Sequence, residues 1–142
     1  MKLLCVASFG GHWVQLKRLA TLLDAEELTF VSTDAGQHHG AAYYLEDFSI
    51  RELWRGVRQL PRALRIVRRS GADVVLSTGA APGLLMLFAG FVLGKKTVWV
   101  DSIANSKRLS LSGRAAGFFA SRVLTQWPEL AGSRVHYLGR LL

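Results

Sequence analysis

A histidine placed directly behind two glycines, as in Gly10-Gly11-His12, can present an imidazole to a ligand held close to bare backbone. Glycine lets the chain turn tightly and lets a ligand approach with no side chain in the way. The imidazole could act as general base on a hydroxyl or hydrogen-bond a phosphate. Capping a helix is the alternative employment of a histidine there. A second turn, Ser77-Thr78-Gly79-Ala80-Ala81-Pro82-Gly83, offers hydroxyl donors at Ser77 and Thr78 and an unusual backbone angle at Gly79. Pro82 can pre-set a first helical turn and leave N–H groups of the new helix free. The plain alternative is an ordinary strand-to-helix connection.

Each turn follows an apolar run that reads as a strand and precedes a run that reads as a helix. In an open α/β sheet such strand ends form a crevice where helix N-termini favour an anion such as phosphate. The two turns are therefore expected to share one site. The dinucleotide fingerprint is absent, because Ser8-Phe9-Gly10-Gly11-His12-Trp13-Val14 lacks its glycine spacing, and no Walker lysine follows the turn. NAD-binding and NTPase readings lose support.

The elements that must position these turns are legible from apolar patterning. Strands are expected over 2–8, 28–32, 73–77, 97–101, 123–126 and 134–137, with a short one near 43–45. Helices are expected over 13–23 and 83–93, and 33–42, with two adjacent histidines, reads as a loop. Regular alternation of strand and helix implies a doubly wound, mainly parallel Rossmann-like α/β sheet covered on both faces. At 142 residues, half of them apolar, one domain is expected over 1–142. The apolar stretch over 84–93 would cover only about 15 Å as a helix against a hydrocarbon core of about 30 Å, so it reads as a buried helix. The start of the chain lacks a signal-peptide pattern, and no export is expected. Cys5, the one cysteine, falls among apolar residues of the first strand and reads as a small buried hydrophobe.

With 18 Lys plus Arg, the chain carries a net charge of +8, which suits a polyanionic partner. Arg51, Arg55, Arg58, Arg62, Arg65 and Arg69 alternate in steps of four and three, one stripe on a helix over 51–69. Leu53, Val57, Leu60, Leu64 and Val67 repeat with the same spacing and are expected to dock while the arginines project. Pro61 predicts a kink or two shorter helices. A solvated face is one reading of the stripe. The other is contact with an anionic membrane through Arg51, Trp54, Arg55, Arg58, Arg62 and Arg65, each cation contributing about 1 kcal/mol near the surface. Nucleic acid ranks well below the membrane, since no stacking platform or helix-turn-helix pattern is found.

Gly10-Gly11-His12, the run from Asp73 to Gly83, Gly94-Lys95-Lys96-Thr97 and Gln126-Trp127-Pro128-Glu129-Leu130 occur in that order. Together they resemble PssD-type polysaccharide-biosynthesis glycosyltransferase subunits. That group is similar to the membrane-recruiting subunit of the two-subunit N-acetylglucosaminyltransferase of the dolichol pathway, and to the N-terminal half of MurG. The resemblance implies the acceptor-binding half of a split GT-B glycosyltransferase, with a PssE-like partner supplying most of the nucleotide-sugar site. Its acceptor would be a saccharide on a polyprenyl diphosphate, its location the cytoplasmic inner face of the cell membrane, and no cofactor or metal is implied.

By position, Gly10, Gly11 and His12 would face the acceptor, and Ser77, Thr78, Gly79, Ala80, Ala81 and Gly83 would line the same cleft, with His12 as first candidate base. Where relatives place Glu-Ser, an aromatic and Ala-Arg, this chain has Asp101-Ser102-Ile103-Ala104-Asn105. Asp101 could orient an acceptor hydroxyl, act as the base instead, or cap a strand end. Trp127 either packs in the core or, with Glu129 and the segment 139–142, meets the partner chain. A nonenzymatic recruiting scaffold is the competing reading.

Overall fold

Side chains of a strand point alternately to its two faces, and in β1 (Lys2–Ala7) both faces are covered. Leu4 and Val6 join one core cluster, while Leu3, Cys5 and Ala7 join another. The computed structural model describes residues 1–8, 10–33, 41–137 and 139. After β1 come α1 (Gly11–Ala20), β2 (Glu27–Ser32), β3 (Tyr43–Tyr44), α2 (Leu53–Ser70), β4 (Val74–Gly79) and α3 (Ala80–Val92). The order continues with β5 (Lys96–Val100), α4 (Leu111–Ala116), β6 (Arg122–Thr125) and β7 (Val135–Tyr137). Single 3-10 turns lie at Ile50–Glu52 and Pro128–Leu130. Most of the expected loop over 33–42, and residues 140–142, lie outside the described residues.

All seven strands pair in parallel in the order β3-β2-β1-β4-β5-β6-β7. The chain winds one way from β1 to β3 and the other way from β4 to β7, so the switch point lies between β1 and β4. Ligands of open α/β sheets bind beyond the carboxyl ends of the strands at that place. The helices cover both faces. Trp13 and Leu16 of α1 pack on Leu3, Cys5, Val74 and Leu76, and α2 and α3 pack on Leu4, Val6, Val75 and Trp99.

The helix over 53–70 departs from expectation in two ways. It runs unbroken through Pro61. The carbonyl that Pro61 cannot satisfy belongs to Val57, a residue on the exposed side of the helix, 70% accessible. Its docked face takes in only part of the expected line, with Val67 buried and Leu60 and Leu64 packed against the core. Gly56, Gln59, Ala63, Ile66 and Val67 are buried, whereas Leu53 and Val57 are exposed and Leu60 and Leu64 half-buried. Gly56 leaves room for the Phe48 ring, Ala63 is fully buried in the core, and α2 packs chiefly against α3, with the leucines on one flank and the arginines on the other. Gln59 is buried because it is paired: its amide donates to the Glu46 carbonyl at 3.0 Å and its oxygen accepts from the Glu46 N–H at 2.8 Å. That bracket ties residues 46–49 to α2.

The stretch over 84–93 forms most of a buried helix as read, yet Phe88, Phe91 and Val92 stand exposed on its outer side. Phe88 and Phe91 pack with Phe119, at ring-centroid separations of 5.6 and 5.7 Å.

Cys5 is fully buried, and desolvation pushes its thiol from 9.0 up to about 12, with Lys17 opposing weakly. Only the thiolate attacks electrophiles. Native protein at pH 8 is expected to resist iodoacetamide and to react stoichiometrically in denaturant, as mass spectrometry would register. The raised value also means that the fold favours the protonated thiol. This contribution is complete below pH 9 and fades as the pH climbs toward 12.

Candidate functional site

The two glycine turns meet at the switch point. Pairing between β1 and β4 slips by one residue between Val6 and Ala7, so that Ala7 faces Gly79. Gly10 precedes α1 with φ +109°, and Gly79 precedes α3 with φ +152°. L side chains avoid both conformations. Neither glycine has a side chain to cap its helix, and neither first turn carries an acidic residue. Both helices thus present first-turn N–H groups and positive dipole ends to one place.

The turns are clamped to each other through His12 and Thr78. The Thr78 hydroxyl donates to the His12 carbonyl at 2.6 Å, and His12 Nδ1 lies 3.2 Å from the Thr78 carbonyl oxygen. A carbonyl only accepts, so Nδ1 carries the proton toward Thr78, and Nε2 is the ring nitrogen left to meet a ligand. The imidazole lines a cleft of about 570 Å³ together with Ser8, Asp47, Ser49, Glu52, Arg55, Ala80, Ala81, Ser110 and Ser112. Ala80 has φ +69°, a left-handed conformation that costs an alanine about 1–2 kcal/mol. Backbone strain of this kind collects at functional sites.

Of the residues read from sequence as cleft-lining, His12, Ala80 and Ala81 line it, while Gly10 and Gly11 are exposed at the start of α1 and are not among its lining residues. Ser77, Thr78, Gly79 and Gly83 do not line it, because they are buried beneath it. The Ser77 hydroxyl accepts from the Gly79 N–H at 3.2 Å, and a Cβ on Gly83 would collide with that hydroxyl. These residues shape the turn from below.

Ser8, Asp47, Ser49, Glu52, Ser110 and Ser112 were not anticipated. Ser8 stands at the end of β1 beside the first glycine turn, and the others come from segments brought over the cleft by the Gln59–Glu46 bracket and by the loop after β5. Ser8 Oγ donates to Asp47 Oδ1 at 3.3 Å, and Glu52 pairs with Arg55 at 3.4 Å. Arg55 therefore belongs partly to the cleft and not only to a surface stripe. The starts of α1 and α3 reach the cleft through His12, Ala80 and Ala81, and Asp47 and Glu52 stand in its lining, so it can meet an anionic group at the helix ends and accept hydrogen bonds from ligand hydroxyls.

Asp101 is buried outside this lining and fully engaged. Oδ1 accepts from Trp99 Nε1 at 3.0 Å and Ser110 Oγ at 2.6 Å; Oδ2 accepts from Ser110 N at 3.0 Å and Asn105 Nδ2 at 3.2 Å. The geometry corresponds to the strand-end cap among its three sequence readings, and it leaves no lone pair directed at a ligand. Ser110 in turn caps α4, accepting from Gly113 N at 2.9 Å. In an Asp101→Asn variant the amide group would face two donors on whichever oxygen it replaced. We expect a loss of about 2–4 kcal/mol in urea unfolding, from two broken charge-assisted bonds.

Trp127 is half-buried and donates from Nε1 to the Ile103 carbonyl at 2.6 Å, while Glu129 is exposed. Gln126 donates to Gln15 Oε1 at 2.7 Å and to the Asp101 carbonyl at 3.0 Å, joining this edge to α1. Along α2, Trp54 is exposed, with the Arg55 and Arg58 guanidinium carbons 5.7 and 6.0 Å from its ring centroid. Arg62, Arg65 and Arg69 turn toward Tyr43 and Tyr44 around a cavity of about 270 Å³, and Arg51 is exposed.

The sheet order and the cleft at its switch point define a Rossmann-like α/β fold of the kind found in GT-B glycosyltransferases. The fold matches crystal structures of Acinetobacter baumannii MurG (TM-score 0.79, 14% identity, 96% of this chain and 45% of that one) and of Neisseria meningitidis UDP-GlcNAc 2-epimerase bound to UDP-GlcNAc (TM-score 0.73, 12% identity, 99% and 47%). The chain belongs to the Alg14-like family of oligosaccharide biosynthesis proteins, whose model matches residues 49–141. It is 34% identical over 105 residues to the UDP-N-acetylglucosamine transferase subunit ALG14 of Eremothecium gossypii, covering 66% of this chain and 47% of the relative. To the alg14 subunit of Schizosaccharomyces pombe it is 40% identical over 74 residues, 47% of this chain and 35% of the relative. The chain spans less than half the length of these curated relatives.

Proposed function

We propose that this chain is the acceptor-binding, membrane-associating subunit of a two-chain, inverting GT-B glycosyltransferase of the PssD type. It would act as one domain with a PssE-like donor-binding partner, in transfer from a nucleotide sugar to a polyprenyl-diphosphate-linked saccharide. The observation that carries this reading is the convergence of two helix N-termini and His12 Nε2 on one cleft at the sheet's switch point. The diphosphate sits against the first turns of α1 and α3, where N–H groups and dipoles favour it. Asp47 and Glu52 accept from sugar hydroxyls and orient them. As the acceptor hydroxyl attacks the anomeric carbon, its proton passes to His12 Nε2, the new C–O bond forms, and the bond to the departing nucleoside diphosphate breaks on the partner's side.

Arg51, Trp54, Arg55, Arg58, Arg62 and Arg65 form the face toward an anionic bilayer, with attachment peripheral on the cytoplasmic side. No helix among the described residues is long and apolar enough to cross a membrane. Exposed Phe91 and Val92, outside the groove between α2 and α3, support a surface contact, since apolar patches beside basic rims favour membranes. The edge bearing Trp127 and Glu129 is the proposed partner interface.

The test is to co-purify the chain with its donor-binding partner and screen nucleotide sugars against a polyprenyl-diphosphate-linked saccharide. Product that requires both chains supports the reading. A partner equally active alone once supplied at the membrane would leave only a recruiting scaffold. Salt-sensitive binding to DNA or RNA in preference to phosphatidylglycerol vesicles would point to a nucleic-acid-binding domain instead.

A further inference from the structure

An apolar groove of about 250 Å³ runs between α2 and α3, walled by Leu53, Val57, Leu60, Leu84, Leu85 and Phe88. It opens beside the cleft at the switch point, and Phe48 and Ala81 line both cavities. Phe48 is held at this junction by the absence of a side chain on Gly56, where a Cβ would stand 2.8 Å from two ring carbons. Ala81 belongs to the first turn of α3, whose N–H end faces the cleft. One turn of α2 likewise serves both cavities, with Arg55 on the cleft and Leu53, Gly56 and Val57 on the groove. The cleft at the helix N-termini thus passes directly into an apolar groove, and no polar residue lines the groove.

We infer that the groove seats the isoprenoid segment of the ligand whose diphosphate occupies the cleft. The inference rests on the acceptor reading above and adds where the lipid goes: the first isoprene units leave the diphosphate past Phe48 and Ala81 and lie between α2 and α3. Continuity with the cleft selects this occupant over a free acyl chain, because the ligand must present an anion at one end of the groove. The junction also sets the polarity of the ligand, with its saccharide toward His12 and its tail away from it.

The probes are farnesyl diphosphate, methyl diphosphate and farnesol, titrated into the full chain by isothermal calorimetry. Each buried methylene is worth roughly a fourfold gain in affinity. Farnesyl diphosphate is expected to bind at least about 30-fold more tightly than methyl diphosphate. Val57→Glu and Leu53→Glu place a charge on the groove at exposed helical positions that tolerate it, with circular dichroism to verify the fold. Each is expected to abolish most of that gain while leaving methyl diphosphate binding unchanged. Equal affinity for the two diphosphates overturns the groove assignment and leaves the cleft reading intact. Binding of neither diphosphate overturns both. Farnesol binding as tightly as farnesyl diphosphate removes the coupling between head and tail. Variants that keep the farnesyl preference but lose phosphatidylglycerol vesicles show that the groove docks on the bilayer, which also overturns the inference.

Discussion

On the proposed role of His12 as base, replacing it by alanine in the chain paired with its donor-binding partner is expected to lower turnover by about 10²–10⁴-fold, the usual worth of a positioned general base, and to leave association of the chains unchanged. The substitution is mild for the fold. Thr78 Oγ1 still donates to the residue-12 carbonyl, and the lost Nδ1 bond to the Thr78 carbonyl is a single neutral one worth about 1 kcal/mol. Single-turnover assays at saturating donor and acceptor separate the chemical step from binding. Added imidazole is expected to restore part of the rate, a rescue that a packing role would not permit. Unchanged turnover in His12→Ala would remove the base and favour recruitment as this chain's contribution.

Gly79→Ala has the second large effect, this time on stability as well as activity. At φ +152° an L side chain is strained, and its Cβ would collide with the His12 ring. Strain of about 1–3 kcal/mol and overpacking of similar size give an expected loss of about 2–4 kcal/mol in urea unfolding. Relief by moving His12 outward would break the Nδ1 bond that fixes its tautomer, so residual folded protein should also transfer sugar poorly. Gly11→Ala is the matched control. A Cβ there meets nothing within 4 Å, and the residue opens α1 without positive φ, so alanine is expected to be neutral or slightly stabilising. Equal losses at positions 11 and 79 would show that the special geometry of the second turn is not what the variant disturbs.

Much of the fold is legible because buried parallel strands are written as apolar runs and glycine turns punctuate them. All seven strands lie within a residue or two of the expected spans. The helix α4 was not anticipated, since six residues carry too little periodicity, although Ser110 before it is an N-cap residue type. The orientation of α2 was misjudged in part, for a different reason. Leucine spacing suggests which face prefers burial, but Gly56, which leaves room for the Phe48 ring, and fully buried Ala63 belong to the neighbouring face.

For the cleft, sequence order by itself determined that two glycine turns would end two strands and begin two helices, and that His12 would stand at one of them. Those are local facts, dictated by residue type and apolar period within a dozen positions. Tertiary structure decided the rest. Which turn residues face ligand and which lie beneath depends on the slip between β1 and β4, a relation between segments about 70 residues apart. The tautomer of His12 depends on a carbonyl contributed by the other turn. Asp47, Glu52 and Arg55 enter the site because Gln59 satisfies the Glu46 backbone, and Phe48 joins cleft to groove because Gly56 leaves it room. Contacts across long sequence separations leave no period in the chain, and so they become visible only when the sheet has brought their ends together.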